Sequence, residues 1–146
     1  MVSVALGRPA DRRCFEVART VDAPADRVWT LLTDTDRWPD WGPSVRAVAS
    51  EDRVVRAGTT GRVATALGPS LPFVVTTCTD RRWTWRVAGV RATGHRVEPP
   101  ADGDPDRCRA VFEVPLWAPI YVPVCVLALR RLARLATAPG GGAGPA

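Results

Sequence analysis

The sequence contains no lysine, no asparagine and no glutamine, and it has a single histidine, His95. Every basic residue is therefore an arginine, and the 20 arginines exceed the 15 acidic residues to give a net charge of +5. The arginines are spread from Arg8 to Arg134 without a run of five, and acidic residues lie between them. This pattern predicts a solvated surface and no nucleic-acid partner.

Metal sites and common cofactor motifs are also missing. The four cysteines, Cys14, Cys78, Cys108 and Cys125, include no pair with the short spacing of a zinc site, and the only histidine is His95. The chain has no glycine-rich phosphate loop and no nucleophile elbow. The sequence therefore predicts no metal and no cofactor, and it argues against a hydrolase, a nucleotide-using enzyme or a nicotinamide enzyme.

The composition fits one globular domain, because 146 residues with 46% apolar and 24% charged residues bury one core. We predict a loose leader over residues 1–12, a domain over 13–137 and a disordered tail, rich in glycine and proline, over 138–146. No basic stretch followed by an apolar core resembles a secretory signal. We therefore expect a cytoplasmic protein with reduced, buried thiols.

The hydropathy pattern predicts one strand, two short helices, six strands and a long final helix. Apolar and polar residues alternate from Cys14 to Val21, which is typical of a strand, and Pro24 suits the first turn of a helix that ends near Thr33. A second, shorter helix ends near Pro39. The later strands are predicted at Val45–Ser50, Gly61–Leu67, Phe73–Thr79, Trp83–Val87, Thr93–Glu98 and Arg107–Val114.

Short turns join these six strands, so we expect an antiparallel sheet. The final helix, over 118–136, is the largest apolar element that could cover one face of that sheet. The predicted fold class is α+β, with a curved sheet wrapped around a long C-terminal helix and a cavity between them.

The segment from Val21 to Trp29, followed by 31–34 and 38–41, resembles the opening of the START-like superfamily, also called SRPBCC. This superfamily includes polyketide cyclase/dehydrase-like and lipid-transfer proteins. The resemblance extends more weakly through 83–85 and 94–99. It implies a helix-grip fold with a deep apolar cavity for a lipid, a polyketide or another hydrophobic molecule. The superfamily shares no catalytic residue set, so the resemblance assigns none.

Four tryptophans are candidate ligand contacts. Trp83 and Trp85 share one face of their strand, opposite a threonine and an arginine, and this alternation places them inside, as core or as cavity wall. Trp38 and Trp41 lie beside Pro39 and Gly42 in a short, loop-like segment, either as a staple over the helix pair or as a lip of the cavity. The predicted ligand-binding set is Trp38, Trp41, Trp83, Trp85, His95, Phe112, Tyr121, Cys125 and Leu129.

His95 has charged neighbours that suggest its direction. Arg96 and Glu98 should share the outer face, which places His95 inward near Trp83 if Gly94 or the preceding turn absorbs one residue as a bulge. An inward histidine is either a core residue or an acid and base near neutral pH. The candidates for catalytic residues are His95, Tyr121 and Arg46.

The final helix has an apolar inner face and a second apolar patch. The inner face, expected against the sheet, consists of Val122, Cys125, Leu129, Leu132 and Ala136. Arg130, Arg131 and Arg134 lie on the opposite side. On that outer side Ile120, Pro123 and Leu127 predict a cavity mouth, a covering loop such as Gly68–Pro72, a second subunit or a membrane. The uncharged run over 114–129 is too short and too rich in proline for a bilayer span.

Three functions remain open from the sequence. A cavity that holds a small hydrophobic molecule explains the aromatic interior and the missing catalytic set. A polyketide cyclase or dehydrase would need several polar groups that converge inside the cavity. A protein associated with a membrane surface would use the final helix and its arginines.

Overall fold

The computed structural model describes residues 2–139, which form eight β-strands and three α-helices. The strands are β1 (Val2–Gly7), β2 (Cys14–Val21), β3 (Val45–Ser50), β4 (Thr60–Thr65), β5 (Ser70–Thr79), β6 (Arg82–Val87), β7 (Val90–Glu98) and β8 (Cys108–Pro115). The helices are α1 (Ala25–Thr33), α2 (Trp38–Trp41) and α3 (Val122–Thr137), with short 3-10 turns at Pro9–Asp11, Thr35–Arg37 and Pro119–Tyr121. Most of the predicted disordered tail, residues 140–146, lies outside the described residues.

All eight strands belong to one open antiparallel sheet in the order β1-β2-β8-β7-β6-β5-β4-β3. From β3 to β8 each strand pairs with the next one along the chain, as the short turns predict. β2 pairs with β8, so that Cys14 lies opposite Pro115 and Val21 opposite Cys108. The predicted α+β fold, a curved sheet around a long C-terminal helix, is confirmed.

The prediction of a loose leader is wrong for residues 2–7. These residues form β1, which pairs with β2 from Val2 opposite Arg19 to Gly7 opposite Cys14. β1 is an edge strand whose middle residues are exposed, so the backbone of β2 holds it in place and no apolar face is buried. A hydropathy pattern reports buried faces, and it therefore gave no signal for this strand.

α1 and α2 pack against both the sheet and α3. Pro24 stands in an extended conformation directly before α1, and the spacing of Val28, Leu31 and Leu32 puts these three side chains on one buried face. α1 contacts β7 and α3, while α2 contacts α3 and β3. The two short helices thereby hold the start of β3 close to α3, where the cavity described below opens.

α3 lies against β2 and β8 on the inner face of the sheet. Its inner face is as predicted: Cys125, Leu129, Leu132 and Ala136 are buried and Val122 is half-buried. Arg130 and Arg134 are exposed on the other side, whereas Arg131 is half-buried. Between residues 2 and 139, no helix combines the length and the apolar character that crossing a bilayer demands.

A β-bulge in β7 sets the direction of His95. Trp85 of β6 faces two residues of β7, Ala92 and Thr93, between the regular pairs on either side. The extra residue shifts the alternation of β7 by one, so that His95 is buried on the inner face. The predicted bulge exists, but it lies at Ala92 and Thr93, between the two positions expected for it, Gly94 and the turn; the inward direction of His95 is confirmed.

The outer face of the sheet contains a buried carboxylate. Glu113 is 5% exposed and accepts hydrogen bonds from Arg82, at 2.7 and 2.9 Å, and from Arg96, at 2.9 Å. Burial alone raises the pKa of Glu113, but the hydrogen bonds and charges of the two guanidinium groups outweigh it and hold that pKa below its usual value. Gly94 lies opposite Glu113, where a Cβ atom would collide with the carboxylate.

Candidate functional site

A large apolar cavity lies between the sheet and the start of α3. Its volume is about 520 Å³, and among the residues that the structure describes no charged side chain lines it. Val63, Leu71, Trp85 and Val87 form the wall on the sheet, and Val124 of α3 together with residues 115–121 forms the wall opposite. Trp85 and Val87 are two residues apart in one strand, so their side chains point to the same face.

The cavity opens at one end of the sheet, which we call the mouth end. This end comprises the β4–β5 turn (66–69), the β6–β7 turn (88–89) and the segment 116–121 between β8 and α3. Leu67 and Trp117 line the cavity and are also exposed to solvent. The rim of the opening is therefore apolar.

Most of the predicted aromatic contacts lie deeper, in the core behind the cavity. Trp38 and Trp83 stack with ring centroids 5.0 Å apart and ring planes at 2°. Trp83 also stacks on His95, at 4.0 Å, and Phe112 packs edge-on against the same imidazole at 5.0 Å. The void that these rings border has a volume of about 40 Å³, which is enough for only a few water molecules.

Two residues of the predicted ligand-binding set, Trp85 and Tyr121, line the large cavity. The structure places the other seven in the core or around the small void: Trp38, Trp41, Trp83, His95, Phe112, Cys125 and Leu129. The predicted set lacks the lining residues Val63, Leu71, Val87, Ala92 and Val124. The alternation in β4 and β6 does signal that Val63 and Val87 point inward, but it does not indicate how far along a strand the cavity begins.

Trp38 and Trp41 close the helix pair and do not form a lip. The indole N–H of Trp38 donates to the carbonyl oxygen of Leu32, and that of Trp41 donates to the carbonyl oxygen of Leu31, each at 2.9 Å. Both carbonyls belong to the last turn of α1, where intrahelical partners run out. Of the two alternatives that the sequence allowed, the structure supports the staple.

His95 is held as a neutral imidazole. The indole N–H of Trp85 donates to Thr93 Oγ1 at 3.2 Å, and Thr93 Oγ1 lies 3.0 Å from His95 Nε2. Because a hydroxyl can donate one hydrogen bond and accept two, Thr93 Oγ1 accepts from the indole and can pair with Nε2 in either neutral tautomer of the imidazole. Burial lowers the pKa of His95 to about 3. His95 is therefore a core residue and not a proton exchanger at neutral pH.

Because His95 is buried and neutral, we predict that it lowers the free energy of unfolding in acid. The unfolded chain takes up a proton at the imidazole below about pH 6.5, whereas the folded chain does not until about pH 3, so stability is complete above pH 6.5 and falls as the pH drops. The slope is at most about 1.4 kcal/mol per pH unit. We expect urea unfolding between pH 7 and 4.5 to show a smaller loss for His95→Phe than for the wild type. Parallel pH profiles for the two proteins would contradict the assignment.

The other two candidate catalytic residues are placed differently. The hydroxyl of Tyr121 is hydrogen-bonded to Ser44 Oγ, and both side chains line the cavity. Burial raises the pKa of Tyr121, so its phenol stays protonated at neutral pH. Arg46 is exposed and is not among the residues that line the cavity in the described part of the chain.

The outer patch of the final helix is not covered by a loop. Ile120 is 86% exposed, Pro123 is exposed and Leu127 is half-buried. The segment Gly68–Pro72, which the sequence allowed as a covering loop, instead belongs to the β4–β5 turn and the start of β5, and Gly68 and Leu71 line the cavity. For Ile120 the loop alternative is therefore wrong, and the patch adjoins the mouth end.

An open sheet that curves around one long helix, with an apolar cavity between the two, defines the helix-grip class. Residues 12–137 match the family model described as polyketide cyclase / dehydrase and lipid transport. Because this match spans most of the sequence, the chain belongs to that family. No curated protein sequence matches the chain significantly.

Solved structures with low sequence identity share the fold. A protein from Thermobifida fusca is 21% identical with a TM-score of 0.65, over 82% of this chain and 89% of that one. A conserved protein of unknown function from Enterococcus faecalis is 16% identical with a TM-score of 0.63, over 94% and 78%. CalU16 from Micromonospora echinospora is 20% identical with a TM-score of 0.60, over 94% and 87%. At these identities the likeness supports the fold alone.

Proposed function

We propose that the protein binds one small, uncharged hydrophobic molecule in the large cavity. The observation that carries this proposal is the cavity lining: about 520 Å³ of space bounded mainly by apolar side chains, without a charged side chain among the described lining residues. Ligand sites typically have volumes of about 300–1000 Å³ and few polar groups. An ionised group on the ligand would lose its hydration without gaining a partner, so the lining selects uncharged molecules.

Hydroxyl groups supply the polarity of the cavity. Ser44, Thr65, Thr93 and Tyr121 line it, and Ser44 and Tyr121 are hydrogen-bonded to each other. A hydroxyl pair of this kind can still donate one proton and accept further hydrogen bonds. The cavity therefore suits a molecule with a large apolar surface and one or a few oxygen atoms, such as a lipid or a polyketide.

A cyclase or dehydrase activity has weaker support. Removal of a proton from carbon needs a general base whose pKa lies near the working pH, together with a donor for the enolate oxygen. His95 stays neutral and lies outside the lining of the large cavity, and Tyr121 stays protonated. Within residues 2–139 the lining offers donors but no such base, which favours binding over turnover.

The binding proposal predicts that blocking the cavity abolishes ligand uptake. We expect the neutral fluorescent probe N-phenyl-1-naphthylamine to bind the wild type with a stoichiometry near one. Ala92 lines the cavity, so Ala92→Trp should fill part of it. The affinity should fall by at least about tenfold, because a tenfold change corresponds to only about 1.4 kcal/mol of lost contact. Fluorescence titration measures both quantities.

The matched control places the same side chain outside the cavity. Ala49 of β3 is exposed and is not a lining residue, so Ala49→Trp should bind the probe like the wild type. Equal affinity of Ala92→Trp and Ala49→Trp would contradict the proposal. Native mass spectrometry of the purified wild type should additionally detect a co-purified uncharged molecule, and the Ala92→Trp protein should lack it.

We also propose that the protein works in the cytoplasm, and the state of its thiols supports this. All four cysteines are free, and three of them are buried. Burial raises the pKa of Cys14 and Cys108 to about 11 and that of Cys125 to about 12, so these thiols are protonated and unreactive at neutral pH. Unpaired cysteines are the usual state of proteins in a reducing compartment.

A further inference from the structure

Large apolar side chains are exposed mainly at the mouth end. The described chain has eight such residues, and five of them lie at this end: Leu67 in the β4–β5 turn, Val90 at the start of β7, and Leu116, Trp117 and Ile120 between β8 and α3. Ile120 is 86% exposed and Trp117 is 63% exposed. A group of exposed apolar residues around an opening is typical of a contact surface.

Arginines without an acidic partner lie at the same end. Arg46 is at the start of β3, Arg86 and Arg91 lie on either side of the β6–β7 turn, and the guanidinium of Arg62 donates to the carbonyl oxygen of Ser70 beside the β4–β5 turn. Across residues 2–139, none of these four arginines forms an ion pair. Their charge is therefore available to an anionic partner.

The opposite end of the sheet has the reverse composition. Its strand connections, 22–24, 51–59, 80–81 and 99–107, contain seven acidic residues, Asp22, Glu51, Asp52, Asp80, Asp102, Asp104 and Asp106, and Asp26 follows in the first turn of α1. The arginines in these strand connections each form an ion pair, Arg53 with Asp34, Arg56 with Asp52, Arg81 with Asp26, and Arg107 with Asp22, while Arg27 of α1 donates to the carbonyl oxygen of Ala136. In the strand connections of that end every arginine is therefore neutralised by a carboxylate, whereas the four arginines named at the mouth end are not.

We infer that the mouth end binds the surface of bilayers that contain anionic phospholipids. Leu67, Trp117 and Ile120 enter the interface between headgroups and acyl chains, while the unpaired arginines bind phosphate groups. Tryptophan suits this depth because its ring is apolar and its N–H is polar. A docked molecule presents its cavity to the acyl chains. That a ligand passes between membrane and cavity rests on the proposed function, whereas the docking itself does not.

A membrane accounts for both the exposed apolar residues and the unpaired arginines of the mouth end, whereas other partners account for only one of these two groups. A nucleic acid would pair with the arginines but would leave Leu67, Trp117 and Ile120 in water. A second copy of the chain would cover the apolar residues but would bring two positively charged surfaces together. An anionic bilayer offers phosphate and hydrocarbon within a few ångströms of each other.

The test is co-sedimentation of the full chain with sucrose-loaded vesicles of phosphatidylcholine, either alone or with about 30% phosphatidylglycerol, a fraction that makes the surface anionic. We expect binding to the anionic vesicles only, and release as salt screens the arginines. Ile120→Glu and Trp117→Glu should abolish binding. Arg86→Ala combined with Arg91→Ala should lower the partition coefficient by about 20- to 30-fold, from about a fivefold effect per arginine.

Matched controls come from the far side of the molecule. Val54 is 58% exposed in the segment between β3 and β4, and Arg134 is exposed in the last turn of α3. Val54→Glu and Arg134→Ala should bind vesicles like the wild type. Ala92→Trp should also bind vesicles normally while losing the fluorescent probe, which separates failure of docking from failure of the proposed function. Circular dichroism and thermal melting verify that each variant is folded.

Three outcomes would overturn the inference. The first is wild-type protein that stays in the supernatant with anionic vesicles at low salt. The second is a loss of binding in Val54→Glu equal to that in Ile120→Glu. The third is light scattering that shows a wild-type dimer, made monomeric by Ile120→Glu, with no vesicle binding by either protein, which would assign the surface to a second copy of the chain.

Discussion

Replacement of Trp38 by alanine is expected to lower the free energy of unfolding by about 4–6 kcal/mol, from the loss of a packed indole and of a buried hydrogen bond. Trp38 is 1% exposed and contacts Phe73, Trp83 and Trp85 through its ring. Its removal leaves a cavity at the centre of the aromatic cluster and the carbonyl of Leu32 without a donor. A single domain has a total stability of about 5–15 kcal/mol, so the variant should be close to unfolded.

Urea unfolding followed by circular dichroism measures this loss, and a second tryptophan provides the control. Trp117 is exposed at the cavity rim, so Trp117→Ala should change the free energy of unfolding by no more than about 0.5 kcal/mol, the usual range for surface positions. If Trp38→Ala unfolded at the same urea concentration as Trp117→Ala, the packing and the hydrogen bond of Trp38 would not stabilise the fold, and the prediction would be wrong.

The second large effect is expected on the outer face of the sheet. Glu113→Ala should cost about 3–5 kcal/mol, because it leaves two partly buried guanidinium groups without their shared carboxylate. Arg82 loses its carboxylate partner, while Arg96 retains Glu16 at 3.0 Å and Glu98 at 3.2 Å. Glu113→Gln should cost less, because an amide oxygen still accepts hydrogen bonds from both arginines.

An exposed ion pair on the same sheet is the control for Glu113. Asp22 contacts Arg107 at 2.9 Å, but its side chain is largely exposed, so Asp22→Ala should cost less than about 1 kcal/mol. Chemical unfolding of the three variants at pH 7 gives the comparison. Equal losses in Glu113→Ala and Asp22→Ala would show that burial adds nothing to the outer ion network.

Most of the fold was predictable from the sequence because the inner strands bury one face. In β6, tryptophans alternate with polar residues, and in β8, apolar residues alternate with charged ones, so both strands and their directions follow from the pattern. The charged pair Arg96 and Glu98 indicated the inward direction of His95 and, with it, a bulge in the strand before it. β1 escaped prediction because its partner is the backbone of β2, and an edge strand with an exposed middle has no buried face to report.

The site was less predictable than the fold. Alternation shows which side chains point inward, but tertiary packing decides whether an inward side chain lies in the solid core or lines the cavity. Trp83 and Trp85 are equivalent in the alternation, yet Trp83 stacks on His95 in the core and Trp85 lines the large cavity. The grouping of the arginines was also not visible in the sequence. Arg46, Arg62, Arg86 and Arg91 are scattered in sequence, and only the strand order brings them to one end.

The pairing of β2 with β8 also bears on the order in which the chain folds. β2 precedes the whole meander, but its partner is the last strand, so the sheet cannot be completed until Pro115 has reached Cys14. During synthesis on a ribosome, β1, β2 and α1 leave the exit tunnel first, and β2 stays without its partner β8 until all the other strands have been made. Closing so long a loop adds an entropic barrier that local turns do not face, which places this chain among slow-folding topologies. Until β8 arrives, the apolar side of β2 has no cover and is open to chaperones or to aggregation.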